Sequence, residues 1–325
     1  MKQLTEVLQT AASYYRQMLA ASPAAVAYLN GRGISGEVAA LFGLGFAPDA
    51  FQGLADVFPD YHSSQALVDT GLVTTSENKR RYDRFRGRVM FPISNYSGEI
   101  IAFGGRVIEA RDGAPKYLNS PETEVFHKSD VLYGLHQARS AIVESGMTYV
   151  VEGYLDVVSL AQHGVRNAVA TMGTATTSGH ILELLLLAPR IVFCFDGDEA
   201  GRRAAAKALD ACRPFMLDTT DVSFMFLQGG HDPDSFVRKF GVDEFYAAAG
   251  RATPFERFFL ACLVSTGLAI DSAEGKAALA NASFPALREI RNAPELLERL
   301  LVAIARQTGF SVNELVFLGG LENNF

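Results

Sequence analysis

Residues 3–29 carry apolar side chains at helical spacing, with Pro23 marking a break or a fresh start. Residues 30–35, with Gly31 and Gly33, read as a loop. Residues 88–103 predict two strands around a turn at 95–98. Residues 104–130 are polar and rich in turn formers, a long loop for a compact domain and of the kind that usually serves a function or lacks order. From residue 148 the pattern changes. Short, nearly all-apolar strands at 148–152, 167–171, 190–195 and 221–227 alternate with helices over 154–164, 178–188, 199–213 and 234–241. That alternation predicts a parallel sheet with helices on both faces. Residues 254–317 read as helical with breaks at Gly267, Pro285 and 292–294, and Ser311 with Glu314 forms a capping box that opens a last helix. The fold class is therefore α/β, in three parts: an N-terminal α+β subdomain at 1–140, a central parallel-type sheet at 141–250 and a helical subdomain at 251–325.

Composition excludes several classes. With 49% hydrophobic and 20% charged residues the chain is an ordinary globular one, not disordered or collagenous. The net charge of −7 lies entirely in residues 141–325, since residues 1–140 hold as many basic as acidic groups. A chain of this balance does not coat DNA indiscriminately, but a local basic strip can still bind it. Cys194, Cys212 and Cys262 are far apart, so no C-x-x-C zinc site is available and no zinc is expected. The N-terminus lacks the apolar core of a signal peptide, and no apolar run is long enough to span a bilayer. These features predict a cytoplasmic protein with no membrane partner.

Glu152, Asp196, Asp198, Asp232 and Asp234 all follow the carboxyl ends of predicted strands, where open α/β sheets bind ligands. A single aspartate there more often caps a helix, and Asp232-Pro233 and Asp198-Glu199 suit that role. The set is harder to explain by capping. Two of the loops carry a D-x-D pair, and Glu152 ends a strand instead of opening a helix. Carboxylates gathered in one crevice repel, and oxygen-ligated divalent metal is the natural compensation. Mg²⁺ is the expected ion, with Mn²⁺ the alternative, in two or more copies that clamp the oxygens of a phosphoryl displacement.

A second constellation is basic. Residues 79–128 hold ten cations against six acidic groups, six of the cations within 79–88. A short charge run is usually a solvated face. Here Tyr82 and Phe85 interleave with the cations, and aromatics with cations are the two parts of a single-strand groove. His127, His163, His180 and His231 are not spaced as a metal set, and no phosphate-binding P-loop is present.

The segments EGYLD at 152–156, DGDEAGR at 196–202 and DPD at 232–234 resemble the Toprim domain shared by topoisomerases, primases and some nucleases. Together with KYLNSPET at 116–123, they resemble the catalytic core of bacterial DnaG-type DNA primases over nearly the whole chain. That resemblance implies Glu152, Asp196, Asp198, Asp232 and Asp234 as metal ligands, with Asp156 supporting them. It implies Glu152, Asp196, Asp198, Lys116 and Lys128 as catalytic groups. Arg32, Arg106, Lys116, Tyr117, Asn119 and Lys128 would line the nucleotide and nucleic-acid site, with Arg84 and Arg86 of the basic run on the template. The activity implied is synthesis of short RNA primers at the replication fork, from ribonucleoside triphosphates on single-stranded DNA, giving an RNA–DNA hybrid and pyrophosphate. A Toprim nuclease or topoisomerase-like enzyme, or a non-catalytic nucleic-acid or nucleotide-binding module, is the alternative. The zinc-binding and helicase-binding domains of such primases find no counterpart in this sequence. The expectation is a catalytic core, with the replicative helicase a partner of the longer protein only.

Overall fold

The structure is a computed structural model that describes residues 2–109, 113–265 and 272–324. Gly267 and Arg111, singled out above as a helix break and a cation of the basic run, lie outside the described residues. In chain order the elements are helices α1 (Lys2–Ala21), α2 (Pro23–Gly31) and α3 (Gly36–Leu41), strand β1 (Gly45–Ala47), the single turn α4 (Ala66–Asp69), and strands β2 (Val73–Thr75), β3 (Arg81–Asp83), β4 (Arg88–Ser94), β5 (Ile100–Val107) and β6 (Tyr117–Asn119). There follow α5 (Leu135–Ser145), β7 (Met147–Val151), α6 (Tyr154–Gln162), β8 (Ala168–Ala170), α7 (Ser178–Leu185), β9 (Arg190–Asp196), α8 (Glu199–Cys212), β10 (Asp221–Leu227), α9 (Pro233–Phe240) and α10 (Val242–Gly250). The chain closes with β11 (Thr253–Pro254), α11 (Phe255–Val264), α12 (Ala273–Leu287), α13 (Pro294–Thr308) and α14 (Val312–Gly319). Two compact units emerge: Met1–Ala141 with Val151–Thr174 and Val237–Val242, and Ile142–Val150 with Ala175–Phe236 and Asp243–Phe325.

The first unit is built on an antiparallel sheet ordered β1-β4-β5-β6. Helix α1 packs on β1 and β5 through Leu8, Ala11, Tyr14 and Tyr15, which share a core with Leu54, Phe58, Phe85, Met90 and Phe103. Tyr15 meets Phe103 edge-on at 5.4 Å between ring centroids. Phe85 is 1% exposed, so it is a core residue and not the stacking platform its place among cations suggested. At residues 95–98 the Asn95 Oδ1 accepts from the backbone N–H groups of Ser97 and Glu99, both at 3.0 Å, and closes the expected turn between β4 and β5. The stretch 104–130 is not the loop its polar composition predicts: β5 runs on to Val107, and β6 pairs antiparallel with it from Gly104 opposite Asn119 to Arg106 opposite Tyr117. Three residues are too few for alternation to register as a strand.

The second unit holds parallel strands β7, β9 and β10, with the short antiparallel β11 on β10. Phe193 and Phe195 of β9 stand in register with Phe224 and Phe226 of β10, and α11 covers this aromatic face with Phe258, 4.4 Å from Phe224. Pro285, expected to break a helix, lies inside α12. The helix ends two residues later, so the missing N–H removes only a bond of its last turn. Ser311 accepts from Glu314 N at 3.3 Å and Glu314 Oε2 from Ser311 N at 2.7 Å, the capping box read from sequence. Among the described residues, no helix is long and apolar enough to cross a membrane.

Candidate active site

Within the second unit, β9 ends at Asp196 and delivers Gly197 and Asp198 to the start of α8. Asp198 is the N-cap, its Oδ1 accepting from Gly201 N at 2.8 Å. Asp232 caps α9 in the same way, accepting from Ser235 N at 2.8 Å. The two aspartates that suited capping do cap, and both remain exposed. Asp196 caps nothing, and Asp234 is 2% exposed. Burial raises the Asp196 carboxyl above its ordinary pKa, and the charges of Asp232 and Asp198 raise it further. Gly197 permits a close approach, since a Cβ there would stand 2.4 Å from Leu227 O.

Among the described residues, no three His, Cys, Asp or Glu side chains are gathered closely enough to hold a metal ion. The donor chemistry nevertheless fits a hard divalent cation. Asp196, Asp198 and Asp232 offer carboxylate oxygens only, and their mutual repulsion is what a cation relieves.

The first unit takes up the chain at Val151, the last residue of β7, and the exposed Glu152 is the next residue. Asp156, 8% exposed in the first turn of α6, turns back to accept from Gly153 N at 3.0 Å and fixes the turn that carries Glu152. This unit also gathers the cations and aromatics. Arg106, 6% exposed, lies over Tyr28 at 5.7 Å and Tyr117 at 5.3 Å; Arg32 lies over Tyr28 at 5.8 Å, and Lys116 Nζ over Tyr117 at 5.8 Å. Alternating rings and cations of this kind hold each other by cation–π attraction. Burial pushes the Tyr117 hydroxyl up to about 12 against the lowering charge of Arg106, so it is neutral at physiological pH. Tyr28 was missed in the sequence, although it sits one helical turn from Arg32. Lys128 is half-buried after the 122–127 turn, where its N–H donates to Glu122 Oε1 at 3.2 Å.

The basic run divides. Arg84 is half-buried with its pKa lowered by desolvation, and its Nε and Nη2 both donate to Asn119 O, at 3.2 and 3.1 Å. Arg88, 4% exposed, reaches Gly105 O at 3.2 Å and Lys116 O at 3.4 Å. Arg86 donates to Asp83 O at 2.9 Å and lies over Phe51 and Tyr82. Arg81 holds Tyr61 O and Ser64 O. Several arginines of the run thus staple backbone carbonyls, two of them along residues 116–119, while Lys79 and Arg80 stay exposed.

A mixed α/β chain with Toprim-like acidic turns and a cation-lined antiparallel sheet is the class that these observations define, and known proteins share it. Residues 14–139 match the family described as DNA primase catalytic core, N-terminal domain, and residues 149–237 match the family described as Toprim-like. The DNA primase of Neisseria meningitidis is 47% identical over 312 residues, which are 96% of this chain and 52% of that protein. A solved DNA primase domain from Pseudomonas aeruginosa is 45% identical with a TM-score of 0.89, covering 98% of this chain and 99% of that one. A DnaG primase catalytic domain solved with single-stranded DNA is 38% identical with a TM-score of 0.88, over 96% and 98% of the two chains. The chain belongs to the bacterial DnaG-type primase family and has the fold of its catalytic core. It spans about half the length of the curated relatives it matches. A Toprim-like domain in a primase catalytic core implies dependence on divalent metal.

Proposed function

We propose that this chain is the RNA-polymerising part of a DNA primase: on single-stranded DNA it joins ribonucleoside triphosphates into short RNA primers, leaving an RNA–DNA hybrid and pyrophosphate. The observation that carries the reading is the first unit's pairing of the Glu152 turn with strand β6, which bears Tyr117 and directly follows Lys116, in a chain of this family. A solved relative holding single-stranded DNA supports the template, and the primase relatives favour synthesis over the nuclease, topoisomerase-like or purely binding alternatives.

Glu152, Asp196, Asp198, Asp232 and Asp234 would hold the metals, Mg²⁺ or Mn²⁺, with Asp156 fixing the Glu152 turn. When bound, the ions supply charge neutralisation and a lowered pKa for the attacking 3′-hydroxyl. Arg32, Arg106, Lys116 and Lys128 are the cations for the triphosphate. Arg106 and Arg32 are held in place by Tyr28, and a cation held before substrate arrives stabilises developing charge without reorganising. Tyr117 offers a ring for base stacking, and Asn119 stands two residues further along the strand. Arg84 and Arg86 lie on the template side of this reading. Functionally, 1–140 serves nucleotide and template, 141–250 metal chemistry, and 251–325 is a helical support. The setting is the bacterial cytoplasm at the replication fork; the helicase enters through resemblance alone, as a partner of longer family members.

The test offers the protein a single-stranded template with labelled ribonucleotides, with and without Mg²⁺, and labelled DNA in a separate tube. Metal-dependent RNA product with intact DNA is expected. Cleaved DNA without RNA product would favour the nuclease.

A further inference from the structure

Asn119 occupies a position that its place in the sequence does not announce. Its side-chain Oδ1 accepts from the Tyr154 hydroxyl, and its Nδ2 donates to Met172 O at 3.1 Å. Those two partners lie on the two segments that flank Glu152. Tyr154 is two residues after it. Met172 sits in the turn after β8, whose Thr171 N donates to Val151 O, the carbonyl directly before Glu152, at 3.3 Å. One amide therefore ties both sides of the Glu152 turn to strand β6. All these residues belong to the first unit.

Each arm of this clamp is held by its surroundings. The Tyr154 ring is stacked on Phe91 at 5.4 Å, meets Tyr133 edge-on at 4.9 Å, and faces Gly104, where a Cβ would come within 2.5 Å of its Cζ. Met172 is a buried non-glycine residue at φ 59°, a left-handed conformation that persists only where neighbours over-determine it. The bond from Asn119 to its carbonyl is one such determinant. On the far side, Arg84 holds the Asn119 main-chain carbonyl with a two-pronged contact, the geometry a guanidinium makes and an ammonium cannot.

From this arrangement we infer that Asn119 is a positioning residue for Glu152, fixed by Tyr154 and Arg84, and that it acts on the rate of the chemical step by setting the Glu152 turn against β6, the strand that bears Tyr117 and follows Lys116. The inference rests on the primer-synthesis reading for its kinetic consequence. It predicts that Arg84 contributes to catalysis through Asn119, in addition to any contact with template.

The test compares Tyr154→Phe, Asn119→Ala and the double variant in primer extension, and follows amide exchange of Thr171 and Gly153. Tyr154→Phe removes one hydroxyl and keeps the ring packing. Both single variants should lower kcat roughly ten- to hundredfold, the scale of a small misplacement of a catalytic group, with the ribonucleotide KM unchanged. The double variant should be no slower than Asn119→Ala, because the hydroxyl acts through the amide. Exchange at Thr171 should quicken by about tenfold in Asn119→Ala. A raised KM with unchanged kcat in Asn119→Ala, and wild-type behaviour of Tyr154→Phe, would overturn the inference and make Asn119 a nucleotide contact. Loss of the primer-synthesis reading would show separately, as a wild-type protein without RNA product whose exchange still responds to these variants.

Discussion

Asp196 is the residue at which chemistry and stability pull apart. Its carboxyl has a raised pKa in the folded chain through burial and the charges of Asp232 and Asp198. A carboxyl raised by folding contributes stability below its unfolded pKa of about 4, and that contribution is lost as pH rises through the folded value. At neutral pH without metal the charge therefore opposes folding. Asp196→Asn should raise the metal-free melting temperature by on the order of a degree or two near pH 7, and the gain should vanish below about pH 4. Thermal melts across that range check it. A lower melting temperature at pH 7 would mean that the charge is already compensated within the protein. The capping aspartates should behave in the opposite sense: Asp198→Ala removes the bond to Gly201 N and should cost about 1 kcal/mol, seen in denaturant titration.

At the scale of elements, strand β6 is the informative case. It is too short to have been read from alternation, and it is held by side chains that the sequence presents as a nucleic-acid strip. Arg84 bonds the carbonyl of its last residue, Asn119, Arg88 bonds that of Lys116 just before the strand, and Phe85 between them is in the core. Charge runs show where cations are but not whether they face solvent or backbone; that depends on which carbonyls the topology brings within their reach. Arg84→Lys separates the two roles. It keeps the positive charge and loses the fork, so the melting temperature should fall while the salt dependence of template binding is unchanged. A flatter salt slope in Arg84→Lys would mean that the guanidinium itself meets phosphate. Phe85→Ala should destabilise the protein by about 3–5 kcal/mol, as a buried phenylalanine does, measured by denaturant unfolding. The alternating strands and helices from residue 148 were legible because a buried parallel strand has to be nearly all apolar. The C-terminal helices were legible too, apart from Pro285, whose effect depends on how soon its helix ends.

Across the whole molecule, the acidic turns could be read because strand ends announce themselves, and the fold then sets Asp196 in the field of Asp198 and Asp232. What could not be read was the set of neighbours: Tyr28 under Arg32 and Arg106, and Tyr154 and Met172 on Asn119. These contacts join residues that lie from 4 to 78 positions apart, and spacing carries no trace of the longer ones. Template affinity should come from phosphate contacts with the first unit's cations. Its logarithm should fall with the logarithm of salt by about 0.7 for each phosphate neutralised, as fluorescence anisotropy would report. An affinity independent of salt would rule out a phosphate-dominated interface. The central claim of the proposed function is that RNA synthesis needs the carboxylates of Glu152 and Asp196 together with divalent metal. The direct measurement is primer extension by Glu152→Ala and Asp196→Ala in saturating Mg²⁺, on protein shown by circular dichroism to be folded. Both variants should lose primer synthesis while binding single-stranded template as the parent does. Extension near the parent rate by either variant would contradict the claim.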